Sequence, residues 1–272
     1  MPDIGQAIAK LKSLHAGDEG VVETLICGKA AVPALRKVLF GRETSGIFEP
    51  RCRAAMVLGK LGAHDALIDF LERDRAIADP VERQGDDAVT DAAASALAGV
   101  RDERAFQALM KRAGKASLTE VIDALGRFDR IEAVPFLLNA LEDDRSRPVA
   151  EDALRRQGIA ARSLLVESAL LQRPSPQGET AGSAHRRATA LELLNGMGIT
   201  RSIWERLRRL TADEDPTVSF MACKLCLAYA DKREWPAATA RLKELLTRVN
   251  WMLKEDIRKS LDENSGDRAI RA

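Results

Sequence analysis

The residue types able to do chemistry are few in this 272-residue chain: three histidines, four cysteines and a set of regularly placed charged side chains. Cys223 and Cys226 have C-x-x-C spacing, which in a helix puts both thiols on one face. Zinc needs about four ligands, and no second pair with suitable spacing exists. A redox dithiol is expected beside a βαβ pattern, and none is present. The pair therefore reads as buried structural thiols, as do Cys27 and Cys52, kept reduced as in a cytoplasmic protein. His15, His64 and His185 stand in separate stretches and make no constellation. There is no G-x-S-x-G turn, no Walker-type loop and no Gly-rich dinucleotide turn. The expectation is that no residue is catalytic and that neither a metal nor another cofactor is held.

The charged side chains carry more pattern. Leu125, Leu154 and Leu194 are anchor positions of three similar apolar stretches. Asp123, Asp152 and Glu192 each lie two residues before an anchor, and Arg127 and Arg156 two residues after. Together with Glu120 they would form a charged ladder along one side of stacked helices. A peptide or a basic partner segment could dock there through charge-assisted hydrogen bonds. The same positions also suit a plain solvated helix face, and both readings stand at this point. A further cluster, Trp204 with Arg206, Arg208 and Arg209, has the residue types that stack on and neutralise nucleic acid. Glu205, Asp213, Glu214 and Asp215 nearby argue instead for a solvated face around a buried Trp.

The elements that must position these residues are helices. Leu118, Val121, Ile122 and Leu125 recur at helical spacing, after a Ser117-x-x-Glu120 capping box and before Gly126 as a stop. Ile131, Val134, Leu137, Leu138 and Leu141 make the stripe of a partner helix, with Pro135 in its first turn. Neither stripe can be buried alone, which is the logic of stacked helical pairs. Ala31-Val32-Pro33-Ala34-Leu35 repeats the pattern of Ala133-Val134-Pro135-Phe136-Leu137, and Ala105, Ala133 and Ala161 are spaced 28 and 28. Second helices are anchored at Leu58, Leu97, Leu125, Leu154, Leu194, Leu227 and Leu261. The wider spacings among these imply insertions, located at Gly41–Glu49, Arg73–Asp86 and Gln172–Ala184. All three fall between the first and second helix of a pair, so they should emerge on one edge.

Arg51-Cys52-Arg53-Ala54-Ala55-Met56-Val57-Leu58-Gly59-Lys60-Leu61-Gly62, and Leu118–Gly126 followed by Ile131–Leu141, resemble HEAT repeats of the short bacterial, phycobilisome-lyase-like type. The resemblance covers about residues 28–200. It implies a right-handed α-α superhelix whose second helices line a concave face used mostly for protein contact. Some relatives are enzymes. Deoxyhypusine hydroxylase uses paired His-Glu dipeptides, whereas the histidines here precede Ala16, Asp65 and Arg186. HEAT-like DNA glycosylases use Trp and Asp in a basic groove; Trp204, Trp235 and Trp251 lie near arginines, but none of these residues aligns with that family's catalytic positions. Phycobilin lyases share the repeat, which is too generic to carry over their chromophore chemistry.

The expected fold is thus all-α, a HEAT/armadillo-type solenoid of about seven helical pairs in a single domain over 1–264. Capping helices occupy 1–27, regular repeats 28–200, irregular repeats and a cap 201–264, and a frayed tail 265–272. An aromatic content of 4% against 46% apolar residues fits closely packed helices. A net charge of +1 gives no global attraction to nucleic acid or an anionic membrane. No apolar run approaches a membrane span, and the start has no signal-peptide pattern. The functional expectation is a non-enzymatic, cytoplasmic scaffold or adaptor that binds a protein along the concave face or the long-loop edge. Two alternatives are a HEAT-like nucleic-acid-binding protein or repair glycosylase, and a lyase-like chaperone for cofactor attachment.

Overall fold

The computed structural model describes residues 2–41, 47–74, 76–115, 118–176 and 178–270. Sixteen α-helices occur among them, and they divide into two compact units, Met1–Phe136 and Leu137–Ala272. The first unit holds α1 (Ile4–Lys12), α2 (Gly17–Cys27), α3 (Val32–Phe40), α4 (Glu49–Lys60), α5 (His64–Glu72), α6 (Pro80–Leu97), α7 (Glu103–Ala113) and α8 (Thr119–Gly126). The unit boundary falls inside α9 (Val134–Ala140). The second unit continues with α10 (Arg147–Gln157), α11 (Arg162–Leu170), α12 (Ala181–Met197), α13 (Arg201–Leu207), α14 (Pro216–Tyr229), α15 (Trp235–Leu245) and α16 (Trp251–Ile270).

In the first unit α1, α3, α5 and α7 each pack against the helix that follows, and in the second so do α11, α13 and α15. In the first unit α2, α4, α6 and α8 pack side by side as one layer, and α1, α3, α5 and α7 form the other. In the second unit α12 packs against α10, α11 and α14, and α14 against α15 and α16. This is the all-α, HEAT/armadillo-type solenoid that the repeats imply. Seven pairs of consecutive helices pack in this way among the described helices.

One burial pattern fixes the layer of second helices. Positions i, i+1 and i+4 are buried as Gly20, Val21 and Thr24 in α2, and as Ala54, Ala55 and Leu58 in α4. The same pattern gives Ala93, Ala94 and Leu97 in α6, and Val121, Ile122 and Leu125 in α8. In α12 it gives Ala190, Leu191 and Leu194. Small residues on these helices let neighbouring helices approach closely. A Cβ added to Gly59 on α4 would come within 2.6 Å of the Ala96 Cβ on α6. In α14 the pattern is Ala222, Cys223 and Cys226, so the anchor is Cys226, one residue before the expected Leu227. The two thiols fill places that Leu191 and Leu194 hold in α12. In α16 the fully buried residue is Ile257, and Leu261 is half-buried.

The first helices are set by the alanine register. Ala31, Ala105, Ala133 and Ala161 are all fully buried. Two of these alanines end matching 3-10 turns, Gly28–Ala31 and Gly158–Ala161, that carry the chain from one pair to the next. Gly28 and Gly158 open these turns at φ +62° and +56°, a backbone region that glycine enters without steric cost.

Buried arginines tie the layers together. Arg51 and Arg187 each lie seven residues before their anchor leucine and are 5% and 1% exposed. Arg51 Nε donates to the Leu39 carbonyl near the end of α3 at 3.1 Å, and its Nη2 to Asp86 on α6 at 2.7 Å. Arg187 repeats the arrangement with the Ala169 carbonyl near the end of α11 at 3.0 Å and with Asp213 at 2.5 Å. Arg147, seven before Leu154, donates to the Leu141 carbonyl at 3.0 Å. These side chains satisfy helix-end carbonyls that the helix itself leaves open.

The structure corrects several sequence expectations. Ser117 lies outside the described residues, and Leu118 is the N-cap of α8, with no side-chain cap bond of its own. Asp91 on α6 caps the start of the helix, its Oδ1 accepting from the Glu120 amide at 3.2 Å. The expected loop Arg73–Asp86 ends early, because Asp79 caps α6 through the Val81 and Glu82 amides and Pro80 suits the first helical position. Within this stretch Gly85 and Asp86 are buried helix residues. Residues 42–46 of the first long loop lie outside the described residues. The third contains a two-stranded hairpin, Pro174–Ser175 paired antiparallel with Gly178–Glu179, and α12 begins at Ala181, before the expected loop end. Of the tail expected to fray, 265–272, the backbone to Ile270 belongs to α16, and residues 271 and 272 lie outside the described residues.

Candidate functional site

The outward face of the second helices is set by what the i, i+1, i+4 pattern leaves over. In α8 these are Glu120, Asp123 and Arg127, three residues on one side of the helix. Asp123 and Arg127 form an i,i+4 ion pair at 2.8 Å. In the second unit Asp152 and Arg156 are exposed on α10, and Glu192 is exposed on α12 at the register of Asp152. Asp152 pairs with Arg155 at 2.8 Å, and Arg155 also reaches Glu151 at 3.2 Å. The Glu151 carboxyl is raised by burial, against the pull of Arg155 and with a smaller push from Glu192. Thus each predicted residue lies on the second-helix face of its own unit, and acid and base are partly matched along single helices rather than stacked by sign.

The same register read through the rest of the first unit is mostly uncharged. The position of Asp123 is taken by Ser95 on α6, Met56 on α4 and Val22 on α2; that of Arg127 by Lys60 on α4 and Ile26 on α2. Val22, Ile26 and Met56 are 57%, 58% and 38% exposed, large apolar side chains on an open face. Between α4 and α6 this face sinks into a groove of about 590 Å³ lined by Cys52, Arg53, Met56, Gly59 and Lys60 on one side and Ala92, Ser95 and Ala96 on the other. Sequence reasoning passed over this groove, although the rule that found Asp123, two residues before an anchor leucine, also marks Met56 before Leu58 and Ser95 before Leu97.

Carboxylates stand close together where α6 meets α8. Burial raises Asp91 to about 6 against amide hydrogen bonds that oppose the rise, with Glu120 and Asp87 adding to it. Asp87 is likewise raised by burial, and by Asp86. The Cys52 thiol is pushed up to about 11 by burial, so it stays protonated at neutral pH and is a poor nucleophile.

The remaining sequence candidates fall into the framework. Burial pushes the Cys223 thiol up to about 12 and the Cys226 thiol up to about 11. Trp204 is buried and donates its indole N–H to Glu234 at 3.1 Å. Arg206 pairs with Glu167 at 2.6 Å, and Arg201 with Asp231 at 2.5 Å. His185 lies 2.9 Å from Arg147, and His15 and His64 belong to other elements. Among the described residues no group of three His, Cys, Asp or Glu side chains could hold a metal ion, and no helix is long and apolar enough to cross a membrane.

No protein-family model matches the sequence, and no curated protein matches it. Solved structures do. One is the complex of the phycocyanin lyase subunits CpcE and CpcF from Nostoc, 22% identical over 90% of this chain and 96% of that one, with a TM-score of 0.41. Human deoxyhypusine hydroxylase in complex with glycerol is 18% identical over 97% and 95%, at 0.36. A designed armadillo repeat protein in complex with a peptide is 15% identical over 96% and 99%, at 0.25. The fold assignment stands on the pairing and stacking of the helices themselves.

Proposed function

We propose that this chain is an interaction scaffold that holds a protein partner against the outward faces of its second helices. Glu120, Asp123 and Arg127 would contact the partner in the first unit, and Asp152, Arg156 and Glu192 in the second. One observation carries the reading: large apolar and charged side chains share a single repeating register on helices whose i, i+1 and i+4 positions are buried. Such a face is pre-organised, so a partner loses little of its binding energy to ordering it. Side chains on rigid helices also offer charge-assisted hydrogen bonds at fixed spacing. The reading assigns no reaction to the face.

The test is affinity capture from a native extract of the source cells, with and without nuclease. The expected result is a stoichiometric protein that survives nuclease. Recovery of nuclease-sensitive material alone would contradict the proposal, as would a catalytic activity of the purified chain abolished by changing these face residues.

A further inference from the structure

We infer that the groove between α4 and α6 takes a segment of a protein partner in which a bulky apolar side chain lies beside an aspartate or glutamate. The inference deepens the scaffold reading and rests on it.

Shape sets the apolar requirement. Gly59, Ala92 and Ala96 have too little side chain to fill the space between the two helices, and they leave the groove of about 590 Å³. A Cβ on Gly59 would come within 2.6 Å of the Ala96 Cβ, so this floor stays small unless the helices part. Met56 forms a wall, a flexible and polarisable side chain that adapts to different apolar shapes. The Cys52 thiol, pushed up to about 11 by burial, adds no charge at neutral pH. On α2, which packs against α4, Val22 and Ile26 continue the apolar surface in the register of Met56. Apolar surface that runs on past the groove suits an extended segment of a partner better than a compact small molecule.

Charge sets the second requirement. Arg53 and Lys60 line the groove, and no carboxylate does. They are seven residues apart on α4, about two helical turns, so they share one face with Met56 between them. The Arg53 Nη1 donates to the Leu11 and Ser13 carbonyls at 3.2 and 2.9 Å, which fixes the guanidinium without neutralising it. Neither cation has a carboxylate partner among the described residues. Other cations of this unit are matched: Arg51 by Asp86, Arg104 by Asp69 and Glu72, and Arg127 by Asp123. The Asp91 charge reaches Cys52, yet its carboxylate is spent on the Glu120 and Val121 amides at the start of α8. Glu120 and Asp123 sit on α8, on the other side of α6 from α4. An incoming carboxylate would therefore meet two unmatched cations on the α4 wall, whereas an incoming ammonium would be repelled there. The same layout orients the segment, with its acidic residue on the α4 side.

The experiment pans a phage-displayed library of short random peptides on the full chain and then measures enriched peptides by fluorescence anisotropy at low ionic strength. The expected result is a shared pattern of a large apolar residue near Asp or Glu. Binding should weaken at least about tenfold in Ser95→Trp, which fills the groove. It should weaken about threefold or more in Lys60→Glu, a change at an exposed position outside the core. Lys243→Glu makes the same change of charge at an exposed position of the second unit and should leave binding unchanged. Met56→Ser, which removes the apolar wall, replaces Ser95→Trp if that variant does not fold by circular dichroism. Enriched peptides that are basic, or that bind the groove variants as tightly as the parent, would overturn the inference, as would the absence of any enrichment. A nuclease-resistant partner captured from extract through other face residues would in that event leave the scaffold reading standing. Absence of both would remove both.

Discussion

At the scale of single residues, the buried arginines hold more of the fold than their number suggests. Arg187 is 1% exposed and joins Glu179 and Asp213, both at 2.5 Å, to the end of α11. Its removal strands two carboxylates away from water. Arg187→Ala should therefore lose about 3–5 kcal/mol in urea unfolding, the range for breaking a buried pair by deleting one partner. A loss under about 1 kcal/mol would mean that the cluster is wetter than its burial indicates. Asp91 makes a prediction of different sign. Its folded-state value of about 6 lies above the ordinary 3.8, so between these the folded chain binds more protons than the unfolded one. Its contribution to stability is accordingly greatest at the acid end, falls as pH rises from about 4 to about 6, and stays reduced above that. Asp91→Asn keeps an acceptor for the Glu120 amide and removes the titration. Its stability relative to the parent should climb across that window, measured by denaturant midpoints at a series of pH values. Parallel curves for the two proteins would show that Asp91 is not the group responsible.

At the scale of helices, what could be read from the sequence and what could not separate along a physical line. Local periodicity was enough for the stripe Val121, Ile122 and Leu125 and for the register of Ala105, Ala133 and Ala161, because a repeat that stacks on itself must bury the same positions each time. The start of α6 was hidden because Gly85 and Asp86 look like loop residues. Their helicity depends on Arg51, 35 residues away along the chain, whose guanidinium neutralises Asp86. The carboxylate that caps α8 from the preceding second helix was hidden for the same reason, because Asp91 is far from Glu120 along the chain. In α14 the two cysteines took the core places, and the anchor moved by one residue, since Leu and Cys serve equally as buried apolar groups. The face residues were legible as positions, but the groove was not. It is made by what Gly59, Ala92 and Ala96 lack, and absent side chains leave no pattern of their own. Two substitutions test this level. Gly59→Ala should cost about 1–3 kcal/mol by overpacking α4 against α6. Leu125→Asp should prevent folding of its unit, because it buries an unpaired charge, while Asp123→Ala should change stability by no more than about 0.5 kcal/mol. The reverse order for Leu125 and Asp123 would invert the assignment of inner and outer faces.

At the scale of the molecule, each unit buries its own core and carries one layer of second helices. A near-neutral net charge of +1 leaves recognition to local arrangement rather than to a global field. The proposed scaffold would engage its partner through the layer of second helices and not through the layer of first helices. Extract capture with two charge-reversed chains, matched for net change, separates the two layers. One carries Glu120→Lys, Asp152→Lys and Glu192→Lys on second helices. The other carries Glu103→Lys, Glu132→Lys and Glu167→Lys, on or leading into first helices. Both should keep the parent circular dichroism spectrum. The first chain should lose its nuclease-resistant partner and the second should retain it. Retention by the first with loss from the second would contradict binding through the second helices.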